Sequence, residues 1–178
     1  DEFHERHLDA DLALALCRDV QAGLREDLRI LIMSATLDVQ QAVERLGNAS
    51  VLRCESRPFP VTCRYRPLPA RADRLVHVVR VVMEALQAQD GDVLVFLPGA
   101  AEIRRCQSLL EAQLGETAKV YPLFGDLSRQ AQDAALRPGD RRRVILSTNI
   151  AETSLTIEGV SIVVDSGLLR KSQFDVSS

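Results

Sequence analysis

From Leu75 to Asp165 the chain switches repeatedly between two hydrophobic rhythms, and this switching constrains its fold more than any other feature. Leu75, Val79, Val82, Met83 and Leu86 return every three or four positions, as do Ile103, Cys106, Leu110 and Leu114. Each set marks one face of a helix. Between and after them stand short, mostly apolar runs: Val93 to Leu97, Val120 to Phe124, Arg143 to Ser147 and Val160 to Asp165. A strand covered on both faces has no polar side to show, so it reads as a run and not as an alternation. Strands alternating with helices predict a parallel sheet with helices on each side, an α/β chain of three layers. Asp90-Gly91-Asp92 and Pro98-Gly99 read as turns, and Ser128 is placed to cap a helix through Leu136.

The first part is less regular. Leu8, Leu12, Leu16, Val20 and Leu24 form one helical face. Arg29 to Met33 predicts a buried strand. Asp38 can cap a helix through Leu46 that Gly47-Asn48 would end, and Val51 to Cys54 fits a further strand. Two prolines within Arg57-Pro58-Phe59-Pro60 exclude a helix and favour an extended crossing segment. A boundary near 56–60 therefore divides the chain into residues 1–55 and 56–178.

Composition sets the limits of function. Hydrophobic residues make up 46%, enough for a core, but aromatics are only 4% and Trp is absent, so that core must be Leu, Val, Ala and Ile. A net charge of −3 argues against a strongly basic nucleic-acid binder, and any RNA contact must rest on local groups and backbone amides. Cys17, Cys54, Cys63 and Cys106 form no C-x-x-C pair, and His4, His7 and His77 supply no zinc-like spacing. They read as buried thiols of a reducing compartment. No stretch approaches the ~20 apolar residues of a membrane span, and no signal-like segment opens the chain. Asp1 and Ser178 both read as cut ends.

Sheets of this type bind ligands beyond the carboxyl ends of their strands. That rule singles out Ser34-Ala35-Thr36, Pro98-Gly99 and Ser147 to Ser154. Adjacent carboxylates, as in Asp1-Glu2-Phe3-His4, suit a magnesium nucleotide site, one holding the metal and the next taking a proton from attacking water. Taken alone, such a pair is also ordinary solvated charge. Ser34 and Thr36 can hydrogen-bond to that acidic segment, or serve a strand-to-helix turn. Thr148 and Asn149 can meet phosphate or sugar oxygens, or cap a following helix.

Taken together, the segments DEFH, SAT, VLVFLPG, PLFGDLS and STNIAETSLTIEGV, in that order, resemble the motifs of the DEAH-box ATP-dependent RNA helicases. The match runs from residue 1 to about 170, and DEFHER is most similar to the bacterial HrpB-type members. The resemblance implies a P-loop NTPase helicase core in which two RecA-like lobes hold ATP between them and RNA across both. Residues 1–55 would be the tail of the first lobe and residues 56–178 most of the second. It implies that Asp1 helps hold Mg²⁺ through water, that Glu2 activates the attacking water, and that His4 links the nucleotide site to the neighbouring lobe. Ser34 and Thr36 would relay hydrolysis to strand movement. Thr148 and Asn149 would contact the RNA backbone, and Ser154, Thr156 and Glu158 would face the nucleotide. Leu97 to Ala101 and Phe124 to Leu127 would frame the RNA-facing and nucleotide-facing loops. The expected setting is the bacterial cytoplasm, with RNA as partner, no membrane, and 3′-to-5′ polarity.

Departures from the family pattern temper this. No G-x-x-x-x-G-K-[ST] loop is present, nor the arginine-rich last motif, so these 178 residues alone are expected to turn over little NTP. Glu158 stands where relatives often have Asp. Leu136 stands where some eukaryotic relatives place an aromatic against adenine, which implies loose base selection. Arg170 to Phe174 resembles the start of the strand-separating β-hairpin. Two rival readings are a non-catalytic RNA-binding or interaction module, and another two-lobed ATP motor acting on DNA or protein. A G-K-[ST] loop upstream would exclude the first, and nucleic-acid stimulation of turnover would decide the second.

Overall fold

The computed structural model describes residues 3, 7–34, 46–47, 49–54, 59–151 and 157–170. The chain separates into two compact units, residues 1–62 and 63–178, a division that falls just beyond Pro60.

In the first unit, helix α1 spans Leu8–Gly23, where the leucine spacing predicts it. Its apolar stripe is not covered: Leu8, Leu12, Leu16 and Leu24 are all exposed, and no α1 residue is buried. Arg29 to Met33 is not the expected buried strand. Leu31 and Met33 are exposed while Ile30 and Ile32 are half-buried. A strand exists through its neighbours, and among the described residues none runs beside this stretch; Phe3 N–H donates to the Met33 carbonyl at 3.1 Å. Val51 to Cys54 is likewise exposed and lies outside any strand, for the same reason. The helix expected from Asp38 begins outside the described residues. Leu46 is helical, and Gly47 follows at φ +69°, the left-handed conformation in which glycine ends a helix.

The second unit is the expected α/β arrangement. Its elements are α2 (Arg74–Ala88), β1 (Asp92–Phe96), α3 (Ala100–Leu114), β2 (Ala118–Leu123), α4 (Arg129–Leu136), β3 (Arg142–Ser147), a single 3-10 turn (Asn149–Ala151) and β4 (Val160–Asp165). The four strands form one sheet in the order β2-β3-β1-β4, parallel throughout. Val93 lies beside Val144 on one side and Ile162 on the other.

Alternate residues of the two inner strands serve opposite faces. Val93, Val95, Val144 and Leu146 pack with Leu75, Val79, Val82, Ile103, Cys106 and Leu110 of α2 and α3. Leu94 and Ile145 pack with Leu123, Ala135 of α4, Ala151 and Ile157. Both faces are thus covered, which is why these strands are apolar at consecutive positions. Ser128 caps α4, accepting from Ala131 N–H at 3.3 Å, and Asp73 caps α2, accepting from Leu75 and Val76 N–H.

The thiols depart from expectation. Cys106, on the inner stripe of α3, is buried, but Cys17, Cys54 and Cys63 are exposed because the segments that carry them bury little. Burial pushes the Cys106 thiol up to about 11, since a thiolate there would have no water around it. A thiol reagent acts on the thiolate. Native protein at pH 8 is therefore expected to react at Cys17, Cys54 and Cys63 and to spare Cys106 until denaturant is added. Mass mapping of labelled peptides checks this; prompt native labelling of Cys106 would contradict the packing.

Candidate functional site

Because every strand of the sheet points the same way, the loops that leave their carboxyl ends share one edge. Backbone hydrogen bonds carry the ladder one step past the strands and pin these loops side by side. Thr148 N–H donates to the Leu123 carbonyl at 3.3 Å, Leu97 N–H to Ser147 at 2.8 Å, and Ser166 N–H to Phe96 at 3.2 Å.

Thr148 and Asn149 stand at this edge, directly after inner strand β3, where the sequence places them. Thr148 is half-buried and Asn149 exposed. The turn they open is closed by backbone, Ala151 N–H donating to the Thr148 carbonyl at 3.4 Å. That same carbonyl accepts from the buried Ser147 hydroxyl at 2.8 Å. Thr148 is therefore held by its main chain.

The neighbouring loop, Phe124 to Leu127, is gathered by a residue that sequence reading missed. The Gln132 side-chain amide donates to the carbonyls of Leu127 at 3.1 Å and Gly125 at 3.4 Å. The Arg104 guanidinium lies 5.4 Å from the Phe124 ring centre, within cation–π range. Next along the edge, Leu97, Pro98, Glu102, Arg105 and Ser166 line a shallow cleft. Glu102 Oε2 and Ser166 Oγ are buried without a hydrogen-bond partner among the described residues, while Glu102 Oε1 accepts from Arg170 at 3.3 Å. Asp73 also lines the cleft, and the Val76 amide and then the Arg105 guanidinium hold its carboxyl below its ordinary value. That contribution is complete above the ordinary carboxylate range and is lost as pH falls through the lowered value.

Glu158 is elsewhere. It is exposed, and it precedes β4, at the amino-terminal edge of the sheet. The length of β3, roughly 16–20 Å at 3.3 Å per residue, separates that edge from Thr148 and Asn149. What holds it there is a second feature not read from the sequence. The Glu158 carbonyl accepts from Arg143, a fully buried arginine at the start of β3 that pairs with Asp92 of β1. The adjacent Arg142 turns to the other face and donates to the carbonyls of Leu86, Gln89 and Gly91, closing the end of α2. A run of three arginines, Arg141 to Arg143, leading into the predicted strand was the available signal, since consecutive strand residues point to opposite faces.

Ser34 is described in the first unit and is half-buried. Asp1, Glu2, His4, Thr36, Ser154 and Thr156 lie outside the described residues. Leu136 is half-buried against the second core cluster. Among the described residues no group of three or more His, Cys, Asp or Glu side chains could hold a metal ion, and no helix is long and apolar enough to cross a membrane.

The family described as the helicase conserved C-terminal domain matches residues 73–176, nearly the whole second unit. The chain belongs to the helicase family. Its parallel sheet is the RecA-like sheet of the helicase C-terminal domain, and the relatives it is similar to include HrpB proteins. It is 51% identical to the ATP-dependent RNA helicase HrpB of Escherichia coli, over 98% of this chain and 22% of that protein. It is 41% identical to the probable ATP-dependent RNA helicase DHR2 of Saccharomyces cerevisiae, over 94% of this chain and 24% of that one. The crystal structure of Escherichia coli DEAH/RHA helicase HrpB superposes with a TM-score of 0.86 at 50% identity, covering 98% of this chain and 23% of that one. The helicase segment thus spans less than a quarter of the length of these relatives.

Proposed function

We propose that the protein carrying this chain is an ATP-dependent RNA helicase that couples NTP hydrolysis to movement along RNA, in the bacterial cytoplasm. Residues 1–55 are the tail of its first RecA-like lobe and residues 56–178 most of the second. The observation that carries the reading is the placement of Thr148 and Asn149 at the carboxyl edge of an inner parallel strand, in a chain 51% identical to a protein named as such a helicase. The donor set fits a magnesium nucleotide by its chemistry. Asp1 and Glu2 are adjacent carboxylates, one an oxygen ligand for a hard cation and one a base. Bound ATP with Mg²⁺ supplies the cleavable phosphoanhydride. Asp1 would hold the metal, Glu2 would take the proton of the attacking water, and His4 would carry the link to the next lobe. Ser34 and Thr36 relay the change, and Ser154, Thr156 and Glu158 serve the nucleotide.

Thr148 and Asn149 are uncharged, so they hold RNA by hydrogen bonds to phosphate or sugar and not by counterion release. Replacing both by Ala in the full-length protein is expected to weaken single-stranded RNA binding by ~1–3 kcal/mol. The loss should be similar for poly-U and poly-A, with little change in salt slope. RNA-stimulated ATPase falls while the basal rate persists. Fluorescence anisotropy beside a thermal melt checks this. Unchanged RNA affinity with a lowered melting temperature would mean that the two residues only shape the turn.

A further inference from the structure

The cleft at the carboxyl edge of the sheet holds two polar atoms without a partner. Glu102 Oε2 and Ser166 Oγ are both buried and make no hydrogen bond among the described residues. Such atoms are uncommon in a folded chain, because taking them out of water unpaired costs free energy. The fold brings their residues together. Glu102 stands in the first turn of α3, just after β1, and Ser166 directly follows β4, the strand beside β1. Both residues line the cleft. The other oxygen of Glu102 has one long bond, 3.3 Å, from the exposed Arg170, which offsets its charge. Gly99 is extended at φ −173°, so its backbone does not call for glycine. A Cβ there would stand 3.0 Å from Glu102 Oε2, so glycine keeps that corner clear.

The cleft adjoins Thr148 and Asn149. β1 lies between β3 and β4, so the cleft begins one strand spacing, about 4.8 Å, from the end of β3. The Leu97 N–H bond to the Ser147 carbonyl ties the two loops together. A nucleic-acid strand held at Thr148 and Asn149 therefore reaches the cleft within one nucleotide. The cleft volume of about 220 Å³ is below the ~300–1,000 Å³ of a site that takes a whole small ligand. It suits one group of a polymer held elsewhere. A carboxylate oxygen only accepts, and a serine hydroxyl donates or accepts. A phosphate brings no donor to such a pair. A ribose 2′-hydroxyl both donates and accepts, and deoxyribose lacks it. A turn of each side chain presents its polar atom to the cleft, and the last torsion of Glu is soft.

We propose that Glu102 and Ser166 receive a ribose 2′-hydroxyl and so select RNA over DNA of the same sequence. This rests on the reading of Thr148 and Asn149 as RNA-contacting residues. The test uses the full-length protein and three fluorescent strands: oligo-U RNA, oligo-dU and 2′-O-methyl oligo-U. The unsubstituted protein is expected to bind the RNA about tenfold tighter than oligo-dU, as one charge-assisted hydrogen bond allows. The 2′-O-methyl strand keeps the oxygen but loses the donor, so it should bind like oligo-dU. Glu102→Gln leaves one acceptor, which Arg170 uses, and should weaken RNA binding about five- to tenfold. Ser166→Ala removes an atom that bonds nothing among the described residues, so it tests the site with little risk to the fold; RNA binding should weaken about threefold. Both variants should bind oligo-dU within about twofold of the unsubstituted protein. An unchanged RNA-to-DNA ratio in both variants would leave the two atoms to bound water and overturn the proposal. Equal losses for RNA and oligo-dU would overturn it too, since the cleft would then shape the strand's path without reading the sugar. Failure of the underlying reading shows separately. Unsubstituted protein that binds neither strand removes both readings, whereas equal binding of RNA and oligo-dU leaves the RNA edge standing and removes only this one.

Discussion

Arg143→Met is expected to destabilise the second unit by about 3–5 kcal/mol, the cost of breaking a buried ion pair from one side. Met fills much of the volume but offers no donor. Asp92, whose side chain is 14% exposed, would keep its charge and lose its guanidinium. The carbonyls of Ala135, Arg137 and Glu158 would lose their partner at the same time, that of Ala135 in a buried position. Adding Asp92→Asn should recover part of the loss by removing the stranded charge, but not all, because the three carbonyls remain. Urea unfolding of the chain, read as a double-mutant cycle, measures both terms. A single-variant loss under about 1 kcal/mol would show that water enters the site and replaces the arginine.

Glu2→Gln in the full-length protein is expected to lower the ATP turnover number by about 10²–10⁴, the range for a lost general base. Gln matches Glu in size and hydrogen-bonding reach and removes only the ability to take a proton. ATP affinity should therefore persist, and RNA affinity with it. Equilibrium binding of a fluorescent ATP analogue, set beside single-turnover hydrolysis, separates the two effects. An unchanged turnover number would mean that Glu2 is not the base. A lost affinity would assign it to holding the metal in place of Asp1.

The second unit was legible because its signals are local. Val93 to Leu97 reads as a strand covered on both faces, and Leu94 does pack away from Val93 and Val95. Ser128 stands one residue before α4 and caps it. Thr148 and Asn149 could be placed at a strand's carboxyl edge because Arg143 to Ser147 ends at Ser147 in both the pattern and the fold. The first unit was less legible for the opposite reason. Arg29 to Met33 has the composition of a buried strand, but pairing requires a neighbour, and composition does not supply one. The α1 stripe reads correctly as helical, but its exposure was not legible, because periodicity reports which face is apolar and not what lies against it.

By itself, then, the sequence determined the element order of the second unit, its parallel α/β class, the serine that caps α4 and the family to which its motifs belong. Each of these is written in contiguous residues, where hydrophobic period, turn chemistry and motif order act over a few positions. The tertiary structure alone decided which thiol is buried, that Gln132 gathers the Phe124 to Leu127 loop, and that Glu158 and Thr148 stand at opposite edges of the sheet. It also decided the fate of two adjacent arginines: Arg142 closes α2, and Arg143 joins Asp92, α4 and Glu158. Asp92 and Arg143 are 51 positions apart. An arginine's partners depend on which carboxylates and carbonyls the folded chain brings within hydrogen-bond reach, and no local pattern encodes that distance.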